Sequence, residues 1–191
     1  MADEEGMIRG LREQRREALR EFVEQYQSRV YHTALSLVRD ASDAEELTQD
    51  VCLTVWQSIA TFKGESALST WVYRITVTRS LDLIRSRNRK KRFAFLSPLT
   101  NAGNEVIHHP VDWVHPGVLQ ENKEKAAWLF RAVEQLPEQQ KVAFTLSKIE
   151  QLSQKEIAEI MELKEGAVES LLQRARHNLR KYLEDIYDEI K

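Results

Sequence analysis

From Leu19 onward the apolar residues of this chain return every third or fourth position, beginning with Leu19, Phe22, Val23, Tyr26, Val30, Ala34, Leu37 and Val38. Side chains that recur with this period share one side of a helix, so the spacing predicts a helix ending near Asp40 with one buried face. The same recurrence continues along most of the chain, and only six glycines and four prolines occur among its 191 residues. Collagen-like, proline-rich and strand-rich architectures are thereby disfavoured. The predicted fold class is all-α, with two small helical domains joined by a flexible linker.

Ser42-Asp43-Ala44-Glu45 has the pattern of a capping box, which predicts a second helix from about Asp43 to Ala60. Its apolar side is Ala44, Leu47, Val51, Val55 and Ile59; its other side carries Asp43, Glu46, Gln49 and Asp50. Residues 61–69 (TFKGESALS) read as a loop around Gly64. A third helix is expected from Thr70. Its apolar residues, from Trp71, Val72 and Tyr73 to Leu83 and Ile84, spread around nearly the whole circumference, so it is either central to the core or presents aromatic groups to a ligand. It finishes in Arg85, Arg87, Arg89, Lys90, Lys91 and Arg92.

Residues 93–122 hold Pro98, Pro110 and Pro116 without a sustained period, which predicts a linker between domains 1–92 and 123–191. Its many apolar residues suit docking on its own domains or on a partner. Helices are then expected at about Lys123–Leu136 and Glu138–Glu150, and a second capping box, Ser153 to Glu156, opens a short one bearing Ile157, Ala158 and Ile160. After a turn over 162–166, a last helix carries the stripe Val168, Leu172, Ala175, Leu179 and Leu183. Short helix, short turn, longer helix is a helix-turn-helix pattern.

The net charge of −2 conceals a strong asymmetry: residues 1–60 hold 7 basic and 12 acidic side chains, residues 61–92 hold 9 and 2. Each surface attracts according to its local charge. Cations following directly on Trp71 and Tyr73 suit unstacked single-stranded bases, with phosphates steered and rings stacked, although the same aromatics suit a core helix. On the last helix Glu169, Ser170, Gln173, Arg174, Arg176 and His177 lie away from the apolar stripe and are of the types that bond base edges and phosphates in the major groove. A solvated helical face has a similar composition.

Catalytic apparatus is not visible: GxxxxGK[ST], GxSxG and HExxH are all missing. His108, His109, Asp112 and His115 have no familiar metal-ligand spacing, so neither a metal nor another cofactor is expected. The lone Cys52 suits packing in a reducing compartment. The charged first thirty residues and the lack of any run of about eighteen apolar residues predict a cytoplasmic protein without membrane insertion.

Two stretches together resemble a known family. Residues 22–75 (FVEQYQSRVYHTALSLVRDASDAEELTQDVCLTVWQSIATFKGESALSTWVYRI) and the following SLDLIRSRNRKK resemble region 2 of bacterial RNA polymerase sigma factors of the extracytoplasmic-function type, and residues 136–183 resemble region 4. The resemblance implies that Asp43, Glu46, Gln49 and Asp50 dock on the β′ clamp helices of core RNA polymerase, with a further contact to the β flap. It implies that Thr70, Trp71, Tyr73, Arg74 and Ile75 lie against the minus-ten promoter element. Lys63, Glu65, Ser66 and Ser69 belong by the same token to a loop that receives a flipped base, flanked by Arg79, Arg85 and Arg87. Extruding a base costs a few kcal/mol, which pocket contacts must offset. Lys164, Glu165, Glu169, Ser170, Gln173, Arg174, Arg176 and His177 would meet the minus-thirty-five element.

The chain departs from the family at several positions. Glu162 stands for the usual turn glycine, Ala167 for threonine, Leu171 for arginine and Ser80 for asparagine, and Glu165 and Glu169 repel phosphates unless they read cytosine amino groups. The expectation is a sigma factor acting on promoter DNA, with an anti-sigma factor as further partner; an exposed Leu171 and the apolar linker are its candidate contacts, the alternative for Leu171 being that it broadens the core stripe. The rival readings are a stand-alone helix-turn-helix regulator and a single-strand RNA-binding module.

Overall fold

A computed structural model describes residues 2–96, 128–129 and 131–190, with the side chains of residues 4–90, 128–129 and 131–184. The chain divides into two units, Met1–Pro110 and Val111–Lys191. Every element among the described residues is helical. The expected linker beyond residue 96, with His108, His109, Asp112 and His115, lies outside the described residues, as does the start of the helix expected at Lys123.

The first unit contains α1 (Ala2–Arg12), α2 (Arg16–Val38), α3 (Ala41–Ser58), a 3₁₀ turn (Ile59–Thr61) and α4 (Leu68–Leu96). Its core joins Met7 and Leu11 of α1, Phe22, Tyr26 and Val30 of α2, Val51 and Val55 of α3, and Leu68 and Val72 of α4. Burying each such large side chain contributes about 1.5–3 kcal/mol. The predicted α3 stripe of Ala44, Leu47, Val51, Val55 and Ile59 is buried throughout.

Both α2 and α4 bury small hydroxyl residues. Thr33, Ser36, Thr76 and Ser80 are all buried. Each hydroxyl donates to the carbonyl one turn back in its own helix, at 2.8 Å in all four cases. A buried hydroxyl satisfied in this way carries no desolvation penalty and takes little room between helices. Ser80, standing where the family has asparagine, is one of these buried, internally satisfied hydroxyls.

Three sequence expectations need correction here. α1 was not expected at all. The cap of α3 is Asp40, whose carboxylate accepts the Asp43 N–H at 2.9 Å, so the helix begins at Ala41, one residue before the expected Ser42 cap. α4 starts at Leu68 and continues past Arg92 to Leu96.

The second unit has helical residues at 128–129 and 131–134, then α5 (Glu138–Lys148), α6 (Gln154–Met161) and α7 (Glu165–Ile190). The Ser153–Glu156 capping box forms as expected, with the Ser153 N–H donating to Glu156 at 2.8 Å and the Glu156 N–H to Ser153 Oγ at 3.3 Å. The hydroxyl and backbone donors of Ser153 hold the Glu156 carboxyl below its usual range. Ile157, Ala158 and Ile160 are buried, as are Val168, Leu172, Ala175 and Leu179. Leu171, expected to be exposed, is buried too, because it sits one turn from both Val168 and Ala175 and widens their stripe.

Glu162 ends α6 in the left-handed region, φ 56° and ψ 43°, and the Leu163 N–H closes the turn on the Ala158 carbonyl at 2.9 Å. A side chain there costs roughly 1–2 kcal/mol, only part of which glycine's extra chain entropy would return. Glu162→Gly is therefore expected to raise the melting temperature of this unit by roughly 2–8 °C in a thermal scan of the full chain. An unchanged or lower value would mean that the carboxylate contributes more than the strain removes.

Candidate functional site

Three surfaces carry the residues singled out in the sequence. On α3, Glu46, Gln49 and Asp50 are exposed together with Leu53, at spacings of three, four and seven residues from Glu46, so all four share one face. Leu53 is 53% exposed and was missed in the sequence reading. Its signal was there: it falls off the 44/47/51/55 stripe and onto the acidic one. A carboxylate face with an apolar residue at its end repels phosphates and suits a basic protein surface with an apolar contact of its own.

Asp43 departs from that face. It lies one turn before Leu47 and two before Val51, on the flank of the buried stripe, and its side chain is 11% exposed. Both its oxygens meet the Arg87 guanidinium from α4 in a two-pronged ion pair. Asp43, expected to face a polymerase, and Arg87, expected to face DNA, engage each other in this structure and together tie α3 to the basic half of α4.

The second surface starts at Phe62, buried against Trp71 with ring centroids 5.3 Å apart. Lys63, Glu65 and Ala67 are exposed, Ser66 and Ser69 are half-buried, and Gly64 turns the chain at φ 76°. Leu68 closes the loop as a fully buried anchor. Trp71 is half-buried and packed on the core. Tyr73 is 6% exposed and cannot present its ring to a ligand in this structure, because it sits one turn before the buried Thr76 and Val77. Arg74 is half-buried and Arg79 donates to Thr54 Oγ1 at 3.1 Å. Arg85 meets Asp82 at 3.5 Å in a pair more than half exposed, which holds it weakly. Arg89 and Lys90 extend the cationic run into solvent, and the Lys91 and Arg92 side chains lie outside those described. Cys52 is half-buried, and burial pushes its thiol upward, consistent with a packing role.

The third surface opens α7. Lys164, Glu165, Glu169, Ser170, Gln173, Arg174, Arg176 and His177 are all exposed. Ser170 Oγ donates to the Gly166 carbonyl at 2.9 Å and Arg174 Nε to the Ser170 carbonyl at 3.2 Å. Ser170, Gln173 and His177 lie along one line opposite the buried stripe. Arg176 instead borders a groove of about 490 Å³ lined by Leu129, Phe144, Leu179 and Leu183. No group of side chains able to hold a metal ion occurs among the described residues, and no described helix is long and apolar enough to cross a membrane.

The chain was compared with known protein families. Residues 22–90 match Sigma-70 region 2, and residues 126–179 match Sigma-70, region 4, in that order along the chain. The chain belongs to the sigma-70 family. Its relatives place it among the ECF sigma factors: it is 28% identical to the RNA polymerase sigma-H factor of Pseudomonas aeruginosa over 164 residues, covering 86% of this chain and 85% of that one. It is 28% identical to the ECF RNA polymerase sigma factor SigW of Bacillus subtilis over 174 residues, covering 89% and 91%. The structure of the sigma factor RpoE in complex with the anti-sigma factor NepR from Bartonella quintana shares the fold, with a TM-score of 0.67 at 21% identity over 86% of this chain and 96% of that one. In this sigma factor most of α2, all of α3 and most of α4 thus fall in the segment matching region 2, and α5, α6 and the first part of α7 in that matching region 4; α1 precedes the matched segment.

Proposed function

We infer that this sigma factor directs core RNA polymerase to specific promoters and helps open the minus-ten region as transcription starts. The observation that carries the reading is the division of labour within region 2: an acidic face ending in the exposed Leu53 on α3, and on α4 a half-buried tryptophan leading into a cationic run. The first repels nucleic acid and the second attracts it, so one small unit has separate surfaces for a protein and for DNA.

In this proposal Glu46, Gln49, Asp50 and Leu53 grip the β′ clamp helices. Lys63, Glu65, Ser66, Ser69, Trp71, Arg79 and Arg85 meet the minus-ten element, while Asp43, Tyr73, Arg74 and Arg87 hold that surface in shape from behind. Ser170, Gln173, Arg174 and His177 enter the major groove at the minus-thirty-five element, with Lys164, Glu165 and Glu169 at its edge, and the groove beside Arg176 takes the β flap. Residues 1–92 act as region 2, 93–122 as linker and 123–191 as region 4. An anti-sigma factor would silence the protein by covering the Leu53 face or the region 4 groove; the burial of Leu171 removes that residue from the contact.

Run-off transcription tests the reading. A promoter-specific transcript is expected only when core polymerase and this protein are both present, and the free protein is expected to bind promoter duplex weakly, because its DNA contacts are few and local. Tight binding to a palindromic duplex without polymerase would favour a stand-alone regulator instead.

A further inference from the structure

α1 precedes the segment that matches region 2, yet it holds both ends of the loop assigned above to the flipped minus-ten base. Arg12 Nη2 donates to the Phe62 carbonyl at 2.5 Å, fifty residues away, at the start of the loop. Glu4 Oε1 accepts the Leu68 N–H at 3.1 Å, sixty-four residues away, at its end. The second bond places a carboxylate at the N-terminus of α4, where it satisfies a backbone donor that the helix cannot and meets the positive end of the helix dipole.

The helix that carries these two side chains is itself firmly seated. Met7 and Leu11 are 2% and 0% exposed and belong to the same core cluster as Phe62, Leu68 and Trp71. Gly10 lets α1 lie against the start of α2, since a β-carbon at that position would fall 2.7 Å from that of Ala18. Between the two held ends, Lys63, Gly64, Glu65 and Ala67 are exposed, with one turn at Gly64.

We propose that α1 sets the shape of the 63–67 loop, and through it the choice of minus-ten base, with Arg12 and Glu4 as positioning residues that do not touch DNA. The proposal rests on the sigma factor reading above. A loop fixed at both ends presents its polar groups at one spacing. A loop released at either end can adapt to several bases and discriminates among them less.

The test uses the full chain with core polymerase and a linear duplex library randomised across the minus-ten and minus-thirty-five positions, with transcripts counted by sequencing. Glu4→Ala and Arg12→Ala are each expected to reduce the base preference at one minus-ten position roughly fivefold, about what one lost hydrogen bond supports. Minus-thirty-five preferences and co-purification with core polymerase should be unchanged. Glu4→Gln, whose amide oxygen can still accept the Leu68 N–H, should retain most of the preference. Minus-ten preferences unaltered in Glu4→Ala, or all positions flattened alike, would overturn the proposal. If Arg12→Ala fails to fold, the half-exposed Glu4 carries the test alone. A wild-type protein that yields no selective transcript from any library member would sink the sigma factor reading itself, a separate outcome.

Discussion

Glu46→Arg combined with Asp50→Arg is expected to abolish co-purification with core RNA polymerase while leaving the fold in place. Both side chains are exposed on the outer face of α3, and neither belongs to the Ala44–Leu47–Val51–Val55 stripe that holds the helix down. Surface changes of this kind usually alter stability by less than about 0.5 kcal/mol. At an interface the same change replaces two attractions by two repulsions, and like charges set against each other cost several kcal/mol, enough to remove a micromolar or tighter complex from a pull-down. The measurement is capture of tagged core enzyme at moderate salt, beside a melting curve of each variant. Undiminished capture by a folded double variant would mean that this face is not the docking surface. Leu53→Asp, one turn on, is the companion change and removes the apolar residue without reversing any charge.

How much of this was readable beforehand varies with the kind of signal. The α3 stripe, the α6 capping box and the outward face of α7 follow from residue spacing alone, and the structure has them where the spacing put them. The left-handed turn at Glu162 was also accessible, as a glycine position occupied by another residue. Side chains on the flanks of a stripe were harder. Asp43 sits one turn from the buried Leu47, and Tyr73 and Leu171 each sit one turn from two buried neighbours, so the width of the buried face decided their fate, and that width depends on which helix packs opposite. Residue chemistry had pointed the other way for Asp43 and Tyr73, a carboxylate in an acidic motif and an aromatic beside cations.

α1 escaped for a different reason. Its apolar content is Met7, Ile8 and Leu11 among charged neighbours, too little to signal a helix by periodicity. Its fixation comes from tertiary contacts, both to α2 just after it and to Phe62 and Leu68, fifty or more positions away. An isolated helix of that length is marginal in water, and packing supplies what propensity does not. Leu53 was the reverse case, an apolar residue whose importance lies in being off the stripe rather than on it.

Trp71→Ala is expected to lower run-off transcription from an intact duplex promoter by about ten- to a hundredfold, the equivalent of the 1–3 kcal/mol that stacking one base on an aromatic ring supplies. The ring is half-buried, its centroid 5.3 Å from that of Phe62, so its loss also loosens the core around the loop. The two effects separate on a template whose minus-ten region is mismatched and already open. If Trp71 helps hold extruded or separated bases, the open template recovers most of the lost output, because the unstacking and unpairing that the ring helps to offset no longer has to occur. If the ring only supports the core, both templates fall together, in step with the melting temperature and with capture of core polymerase. Trp71→Phe refines the comparison, since it keeps a ring against Phe62 while shortening the face left open to a base; duplex output between those of wild type and Trp71→Ala, at near-native stability, is the expected result.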